Sequence, residues 1–333
     1  MTAASNSIAV LGAGAWGTAL ALSLAQSQPV TLWSHDAGEV SRMAGTRRND
    51  DYLPGFDLPA TITITNDLRQ AAAAGILLCV VPSQFMRATM QSLRPHLRPD
   101  HILVSATKGI EDVTFLRMSE VMQQVAGAPL RIGVLSGPSF AQEVAQHMPT
   151  AVTIASADAA IAQLIQRQFS SPSLRLYTND DVIGVELGGS LKNVIALSAG
   201  VVAGLGLGFN TSAALITRGI SEITRLAVTC GGRQQTLAGL SGVGDLVLTC
   251  TGSLSRNRTV GVELGRGRPL PEILESLHGK VAEGVKSTSA ALGLARRHGI
   301  EMPITEQMEA ILHHGKSPMD AIRELMTRPG RDE

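Results

Sequence analysis

A single cation interrupts an apolar, small-residue stretch near the middle of the chain. Lys192 lies within LGGSLKNVIAL at residues 187–197, a pattern typical of a buried helix. Its neighbours at helical spacing are glycines and alanines, so one face has little bulk around the ammonium. An unpaired buried ammonium is costly, so this lysine needs a partner or a chemical role such as proton transfer. The alternative is a partly exposed lysine whose ammonium reaches solvent.

Further polar candidates follow in the last third of the chain. Asp245 comes after a glycine-rich turn, where its carboxylate could bind hydroxyl groups, pair with Lys192 or cap the helix that starts at the next residue. Ser255, Arg256 and Asn257 lie where we expect the first turn of a helix. Free N–H groups and a planar guanidinium suit a phosphate dianion, although an exposed basic turn would have the same sequence.

The N-terminal end carries a dinucleotide-binding pattern. Gly12, Gly14 and Gly17 form a G-x-G-x-x-G motif between a β-rich apolar run at 8–11 and a helical pattern at 18–25. In this strand–turn–helix setting the first glycine permits the tight turn, and the second lets the backbone approach a pyrophosphate. The third glycine permits close packing of the helix on the strand. The motif therefore predicts a dinucleotide cofactor.

The end of the second expected strand bears on which cofactor is bound. Residues 30–33 are followed by Ser34, His35 and Asp36. An acidic residue at this point usually binds the ribose 2′-hydroxyl of NAD, whereas His35 could accept a 2′-phosphate. Asp36 could equally cap the next helix. The sequence permits NADP and does not exclude NAD.

Further buried runs predict more strands of a parallel sheet covered on both faces. Ligands of such sheets bind outside the carboxyl ends of the strands. Lys108, Gly137 and Ser139 fall at such ends, although Lys108 could be a solvated loop residue and Ser139 a helix cap. The runs are residues 76–81, 102–105 and 132–135.

Beyond about residue 185 the strand signal disappears and helical periodicity dominates. We therefore expect an α/β Rossmann-type domain with a mostly parallel sheet at residues 1–185, followed by an all-α domain at 186–333. A length of 333 residues suits two domains, and 44% hydrophobic against 17% charged residues supports large cores. A formal net charge of zero gives no indication of nucleic-acid binding.

Cysteine usage and hydropathy limit the location of the protein. The three cysteines are scattered without metal-ligand spacing, so we expect no metal site and a reducing cytoplasm. The apolar N-terminus contains the glycine motif and no basic residue before Arg42, which argues against a signal peptide. The weakly polar stretch at 195–216 contains polar residues and glycines, so we expect packed helix and loop, not a membrane span.

Several segments together resemble the bacterial-type NAD(P)-dependent glycerol-3-phosphate dehydrogenases, and the match runs through most of the chain in the family's order. The segments are GAGAWG at 12–17, YLPG at 52–55, TKGIE at 107–111, GPSFAQEV at 137–144, LKN at 191–193, GVGDL at 242–246, SRNR at 255–258 and VAEG at 281–284.

The resemblance implies a fold and an activity. It implies a helical second domain like the C-terminal domain of 6-phosphogluconate dehydrogenase. It also implies reversible hydride transfer between NAD(P)H and dihydroxyacetone phosphate, giving sn-glycerol 3-phosphate for phospholipid synthesis, with a homodimer left open. The rival hypotheses are another two-domain hydroxy-acid dehydrogenase and a non-catalytic NAD(P)-binding sensor.

The resemblance also implies roles for particular residues, with Lys192 as the proton-transferring group. Ala15 stands where a serine is common in the family, and His35 where arginine is frequent, which makes an NADP preference less secure. The implied cofactor contacts are Ala15, Trp16, His35, Lys108, Ala141, Arg256, Val281 and Glu283, and the implied substrate contacts are Lys108, Gly137, Ser139, Lys192, Asp245, Ser255, Arg256 and Asn257.

Overall fold

Eight strands form one mostly parallel sheet in the N-terminal part of the protein. The structure is a computed structural model that describes residues 7–277 and 281–329. The strands are β1 (Ile8–Leu11), β2 (Val30–Trp33), β3 (Ile62–Thr65), β4 (Ile76–Cys79), β5 (Ile102–Ser105), β6 (Arg131–Ser136), β7 (Thr150–Ala155) and β8 (Leu174–Asn179). Their order is β3-β2-β1-β4-β5-β6-β7-β8. Of the neighbouring strands in this described sheet, β6 and β7 run antiparallel and the other pairs run parallel.

The chain divides into two compact units. The first unit runs to Lys108 and includes Leu116–Glu186, and the second contains Gly109–Phe115 and the chain from Leu187 onward. The short segment at 109–115 therefore belongs with the helical unit, although both of its sequence neighbours belong with the sheet.

The strand order explains why the glycine motif lies at a ligand-binding edge. β1 is flanked by β2 and β4, so β2 and β3 lie on one side of β1 and the later strands lie on its other side. This change of side beside β1 is typical of doubly wound nucleotide-binding folds. Ile8 and Val10 pack into one core cluster, and Ala9 and Leu11 into another, so both faces of this strand are buried. A strand that is buried on both faces of a parallel sheet is expected to be an unbroken run of apolar residues, as β1 is.

The helices of the first unit cover the two faces of the sheet. They are α1 (Ala15–Leu24), α2 (Ala37–Thr46), α3 (Leu68–Ala71), α4 (Met86–Leu93), α5 (Met118–Ala126), α6 (Ala141–Ala145) and α7 (Ala159–Phe169), with short 3-10 turns at Ser83–Phe85 and Arg94–His96. The Rossmann-type fold predicted from the sequence is confirmed by this architecture.

From residue 187 onward, the described residues of the second unit form helices joined by turns and no strands, as the periodicity predicted. Helix α8 (Val182–Gly204) begins in the first unit and continues into the second. The other helices are α9 (Phe209–Thr229), α10 (Gln234–Leu237), α11 (Asp245–Thr251), α12 (Arg256–Gly265), α13 (Leu270–Glu275), α14 (Glu283–Arg297), α15 (Pro303–His313) and α16 (Pro318–Met326), with a π-helical turn at Leu240–Gly244.

Close backbone packing fixes α12 beside α8 in the second unit. A Cβ added at Gly200 of α8 would lie 2.1 Å from the carbonyl oxygen of Arg258, and one at Gly261 would lie 2.0 Å from that of Leu197. A Cβ at Gly188 would meet the carbonyl oxygen of Ser241 at 2.5 Å. The small residues around Lys192 thus admit neighbouring backbone.

Within residues 7–277 and 281–329, one helix has the length and hydropathy of a membrane span. The most apolar window of α8 has a mean hydropathy of 1.3, and 89% of that window is buried inside the protein. A core helix has these properties as well.

Candidate active site

Lys192 is buried and paired within the second unit. It is 6% exposed, and its Nζ donates hydrogen bonds to a carboxylate oxygen of Asp245 and to Oγ1 of Thr249, the latter at 2.6 Å. Its ammonium therefore does not extend to solvent. An ammonium has three donor hydrogens, and two fixed acceptors restrict its rotation and position.

Asp245 is placed by the start of α11. It is the first residue of that helix, it is fully buried, and Gly244 before it provides no side-chain cap. The carboxylate accepts a hydrogen bond from Lys192, which lies 53 residues earlier in the chain, and it does not act as a helix cap.

Thr249 is a component of this cluster that the sequence reasoning missed. Its hydroxyl accepts from Lys192 and donates to the backbone carbonyl of Asp245 at 2.7 Å. The available signal was its position four residues after Asp245, which places both side chains on one helical face. The hydroxyl joins the helix backbone to the ammonium, so Lys192 is held from two sides by one helix.

The expected anion-binding turn is the start of α12. Ser255 is the N-cap, and its side chain accepts a hydrogen bond from the backbone N–H of Arg258. Arg256 opens the helix and is exposed. Desolvation by nearby protein lowers the pKa of its guanidinium, and the charge of Glu283 partly opposes this shift. A helix N-terminus with an adjacent guanidinium provides both N–H donors and positive charge for a phosphate.

The side chain of Asn257 ties the turn to two other helices. Its Nδ2 donates to Oδ1 of Asn193 at 3.0 Å, and its Oδ1 accepts from the backbone N–H of Gly284 at 3.0 Å. These bonds join α12 to the residue after Lys192 and to the first turn of α14. That helix begins at Glu283, two residues after Val281.

In the first unit, the glycine turn has the form that a pyrophosphate requires. Gly12 has a φ of 120°, and a Cβ added at Gly17 would lie 1.9 Å from the carbonyl oxygen of Gly12. A Cβ at Gly14 would have no atom within 4 Å. Helix α1 begins at Ala15 without a side-chain cap, so its first N–H groups face this open space at the end with the positive dipole. These features fit a dinucleotide.

Trp16 adds an unpaired polar atom at the start of the same helix. Its ring Nε1 is buried and has no hydrogen-bond partner among the described residues. A buried donor without a partner is unusual in a folded protein.

The residues that follow β2 differ in their roles, because one caps a helix and another is exposed to solvent. Asp36 caps α2, its carboxylate accepting from the N–H of Glu39 at 2.9 Å. Backbone hydrogen bonds from Glu39 and Gly38 lower the pKa of Asp36. The capping alternative is therefore correct, while His35 is exposed at the same strand end. The hydroxyl of Ser34 donates to Glu39 at 2.7 Å.

Three residues predicted at strand ends meet at one carbonyl group. Lys108 Nζ and Ser139 Oγ each donate to the backbone oxygen of Gly137 at 3.0 Å. Gly137 has a φ of 142°, which a residue with a side chain rarely adopts. Phe140 is the N-cap of α6 and makes no side-chain cap, so Ser139 does not cap the helix that starts at Ala141.

The predicted site residues fall into two sets, one in each unit. The first unit contains Gly12, Gly14, Ala15, Trp16, Gly17, His35, Lys108, Gly137, Ser139 and Ala141, and the second contains Lys192, Asp245, Ser255, Arg256, Asn257, Val281 and Glu283. Among residues 7–277 and 281–329, no group of three or more His, Cys, Asp or Glu side chains could hold a metal ion.

A Rossmann-type sheet with an open glycine turn, in one chain with a helical unit that holds a buried lysine against a carboxylate, defines a two-unit nicotinamide-dependent dehydrogenase. Comparisons with known proteins agree. Residues 7–162 match the family model of the N-terminus of NAD-dependent glycerol-3-phosphate dehydrogenase, and residues 181–323 match that of its C-terminus.

Individual relatives match over nearly their whole length. The glycerol-3-phosphate dehydrogenase [NAD(P)+] of Koribacter versatilis is 56% identical, covering 98% of each chain. That of Acidobacterium capsulatum is 57% identical over 98% of this chain and 99% of the relative. The crystal structure of glycerol-3-phosphate dehydrogenase from Coxiella burnetii superposes with a TM-score of 0.94 at 41% identity, covering 97% and 99% of the two chains. The chain belongs to the NAD(P)-dependent glycerol-3-phosphate dehydrogenase family and is an oxidoreductase.

Proposed function

We propose that this protein catalyses reversible hydride transfer between NAD(P)H and dihydroxyacetone phosphate, and that its product, sn-glycerol 3-phosphate, is used for phospholipid synthesis. The observation that carries the proposal is the buried Lys192, whose ammonium is fixed by Asp245 and Thr249. Membership of the family supports the choice of substrate.

Lys192 is the proton-transferring residue in this proposal. Reduction of a ketone leaves negative charge on the carbonyl oxygen, and a donor there completes the alcohol. In the reverse direction the same amine accepts the proton. Asp245 and Thr249 hold the Nζ atom, which reduces the conformational freedom lost when the substrate binds. The nicotinamide cofactor supplies or accepts the hydride when it is bound.

The start of α12 binds the substrate phosphate. Arg256 provides a guanidinium, and the helix N-terminus provides N–H groups. Because both polar ends of the Asn257 carboxamide are engaged by Asn193 and Gly284, we assign its contribution to its backbone N–H. Ser255 accepts as a helix cap, and its hydroxyl hydrogen can still be donated to phosphate.

The remaining roles complete the proposal. Most of the proposed cofactor contacts lie in the dinucleotide-binding domain at residues 1–185, and most of the proposed substrate contacts lie in the substrate-binding domain at 186–333, in a cytoplasmic enzyme with a homodimer left open. The family's dual cofactor name and the exposed His35 leave both NAD and NADP as cofactors. The proposed cofactor contacts are Gly12, Gly14, Ala15, Trp16, Gly17, His35, Lys108, Ala141, Arg256, Val281 and Glu283, and the proposed substrate contacts besides Lys192 and residues 255–257 are Lys108, Gly137, Ser139 and Asp245.

The test is a spectrophotometric assay of the purified protein with dihydroxyacetone phosphate, run separately with NADH and NADPH. We expect the nicotinamide absorbance to fall with at least one cofactor, and dihydroxyacetone without phosphate to be a poor substrate. Turnover of hydroxy acids in place of the phosphorylated triose would replace this function by another dehydrogenase activity. Cofactor binding without any turnover would indicate a sensor.

A further inference from the structure

A buried asparagine outside the glycine motif holds the peptide group at the centre of the glycine turn. Asn49 is 5% exposed, and its Nδ2 donates to the backbone oxygen of Ala13 and to Oγ1 of Thr18, both at 2.7 Å. Thr18 in turn donates to the same Ala13 oxygen at 3.2 Å. One carbonyl group inside the turn thus accepts from two side chains, one of them 36 residues away in sequence.

The orientation of this amide follows from its partner. A backbone carbonyl oxygen only accepts hydrogen bonds, so the atom of Asn49 that faces Ala13 has to be the nitrogen. The hydroxyl of Thr18 both donates and accepts, and it closes a ring of three hydrogen bonds with Asn49 and Ala13.

Fixing the Ala13 oxygen fixes the next N–H group as well. The peptide unit is planar and trans, so the N–H of Gly14 points opposite to the carbonyl of Ala13. The carbonyl points at Asn49 and Thr18, and a Cβ at Gly14 would meet no atom within 4 Å. The Gly14 N–H therefore cannot turn away from the open end of α1 without breaking the buried bonds of Asn49.

The chain around Asn49 is itself anchored on both sides. Arg47 ends α2 with a φ of 53°, and its guanidinium donates to the backbone oxygens of Leu58 at 3.0 Å and Ile62 at 2.9 Å. On the other side Leu53 is buried in the core and donates its N–H to the carbonyl of Asn49 at 2.9 Å. These hydrogen bonds fix the loop that places Asn49 beside the glycine turn.

We propose that Asn49 is a positioning residue for the cofactor, which holds the Ala13–Gly14 peptide so that its N–H is ready to donate to the pyrophosphate. The inference rests on the proposed cofactor site and extends it beyond the glycine motif. Because the N–H of Gly14 is oriented before the cofactor binds, the binding free energy is not reduced by the entropy cost of ordering the turn. Loss of Asn49 should weaken every ligand that contains the pyrophosphate and leave catalysis by the loaded enzyme unchanged.

The experiment measures the Kd of ADP-ribose and of NADH by calorimetry on Asn49→Leu and Asn49→Asp proteins. Asn49→Leu removes the donor at similar volume, and we expect both Kd values to rise about tenfold. Asn49→Asp places an acceptor against the Ala13 carbonyl, so the rise should be larger. The KM of NADH should increase likewise, while kcat at saturating cofactor and the KM of dihydroxyacetone phosphate stay within about twofold of the parent values.

A matched control separates positioning from general stability. Gln166 in the same unit also donates from its amide to a backbone carbonyl, that of Leu176, at 2.8 Å. Gln166→Leu should lower the melting temperature by a similar amount but leave both Kd values unchanged. If an Asn49 variant does not fold, Thr18→Val removes one corner of the same ring and should raise the Kd of ADP-ribose severalfold.

The outcomes distinguish this inference from the proposed function. Parent-like Kd values in folded Asn49 variants, with only a lower melting temperature, would make Asn49 a purely structural residue. A parent protein that binds neither ADP-ribose nor NADH would instead overturn the cofactor site on which the inference rests.

Discussion

The glycine turn of the first unit and the lysine cluster of the second achieve ligand chemistry in opposite ways. The turn between β1 and α1 uses backbone N–H groups and has no charged side chain of its own. The cluster uses a buried ammonium and a buried carboxylate, brought together from α8 and α11. One site is made of peptide dipoles, and the other of full charges.

The difference determines how each site is stabilised. The first backbone N–H groups of a helix have no partner within the helix, so the first unit needs only a fixed peptide geometry, which glycines and Asn49 provide. A buried ammonium without a partner would be strongly destabilising, so the second unit pairs it with Asp245 and Thr249. Mutations that change the peptide geometry of the glycine turn should therefore act on cofactor affinity, and mutations of the lysine cluster should act on both turnover and stability.

The largest expected effect is on Lys192. Lys192→Ala should lower kcat roughly 10²-fold or more, because no other proton donor would be fixed at that position. Cofactor affinity should stay near the parent value, since the glycine turn is untouched. Steady-state kinetics and NADH titration measure both. A matched control is Lys316→Ala, which removes a lysine paired with Glu324 at the surface.

Two results would contradict this role. Turnover of Lys192→Ala within a few-fold of the parent enzyme would remove Lys192 from proton transfer. A loss of NADH affinity as large as the loss of turnover would mean that the two sites are not independent in function.

Arg256 tests whether full charge is also used for the substrate phosphate. Arg256→Ala should raise the KM of dihydroxyacetone phosphate by an amount equivalent to about 2–4 kcal/mol if the ion pair between the guanidinium and the substrate phosphate is desolvated. The control is Arg266→Ala at the other end of the same helix, where the guanidinium pairs with Glu263 in solvent. An unchanged KM and kcat would leave Arg256 as a surface residue.

The glycine turn offers a pair of variants that separate space from chemistry. Gly14→Ala adds a Cβ into open space, so the protein should fold normally and bind NADH about tenfold more weakly. Gly17→Ala adds one 1.9 Å from the carbonyl oxygen of Gly12, so it should also lower the free energy of unfolding by about 1–3 kcal/mol.

Gly45→Ala in α2 is the control for this pair, because its Cβ also meets no atom within 4 Å. It should leave affinity unchanged and stabilise the helix slightly. Equal NADH affinity in Gly14→Ala and Gly45→Ala would argue against a pyrophosphate at Gly14.

The same contrast explains what could be predicted from the sequence. The glycine turn is encoded within six consecutive residues, so its strand, turn and helix were all recognisable. Strands β1, β2, β4, β5 and β6 were predicted from apolar runs, whereas β3, β7 and β8 were missed. Strands β3 and β8 carry exposed residues, and β7 has two threonines among its apolar residues. An exposed face removes the unbroken apolar signal on which the prediction depended.

The lysine cluster could be predicted only in part. The chain pattern identified Lys192 and Asp245 and gave their pairing as one of three alternatives for Asp245, but it could not choose among them, because the contact spans 53 residues and depends on how α11 packs. Thr249 was missed because a threonine inside an apolar helix has many ordinary explanations. Asn49 was missed because nothing near it in sequence indicates that Ala13 needs a partner.

The second unit contains another buried carboxylate, Glu222, which extends the comparison to stability. Located on α9, it accepts from the backbone N–H groups of Ile304 at 2.6 Å and Thr305 at 3.4 Å, at the start of α15. The first unit caps α2 and α7 with aspartates that directly precede those helices. Desolvation raises the pKa of Glu222 to about 7, although the hydrogen bonds lower it in part.

This shift predicts how stability depends on pH. The pKa of Glu222 is about 7 in the folded protein and 4.5 as the ordinary value, so the folded state holds the proton more tightly. Its contribution to stability is fully present below pH 4.5 and is lost as the pH rises through about 7. Glu222→Gln should remove this dependence, which amounts to at most about 1.4 kcal/mol per pH unit, and leave turnover unchanged.

Urea unfolding at a series of pH values between 4 and 8 measures the slope, with Glu222→Gln compared with the parent protein and with Glu272→Gln. Glu272 is exposed on α13 of the same unit, so its substitution should preserve the parent slope. If the free energy of unfolding varied with pH in the same way in all three proteins, the Glu222 carboxylate would ionise as easily as one in water. Burial of the Glu222 side chain would then carry no penalty for its ionisation.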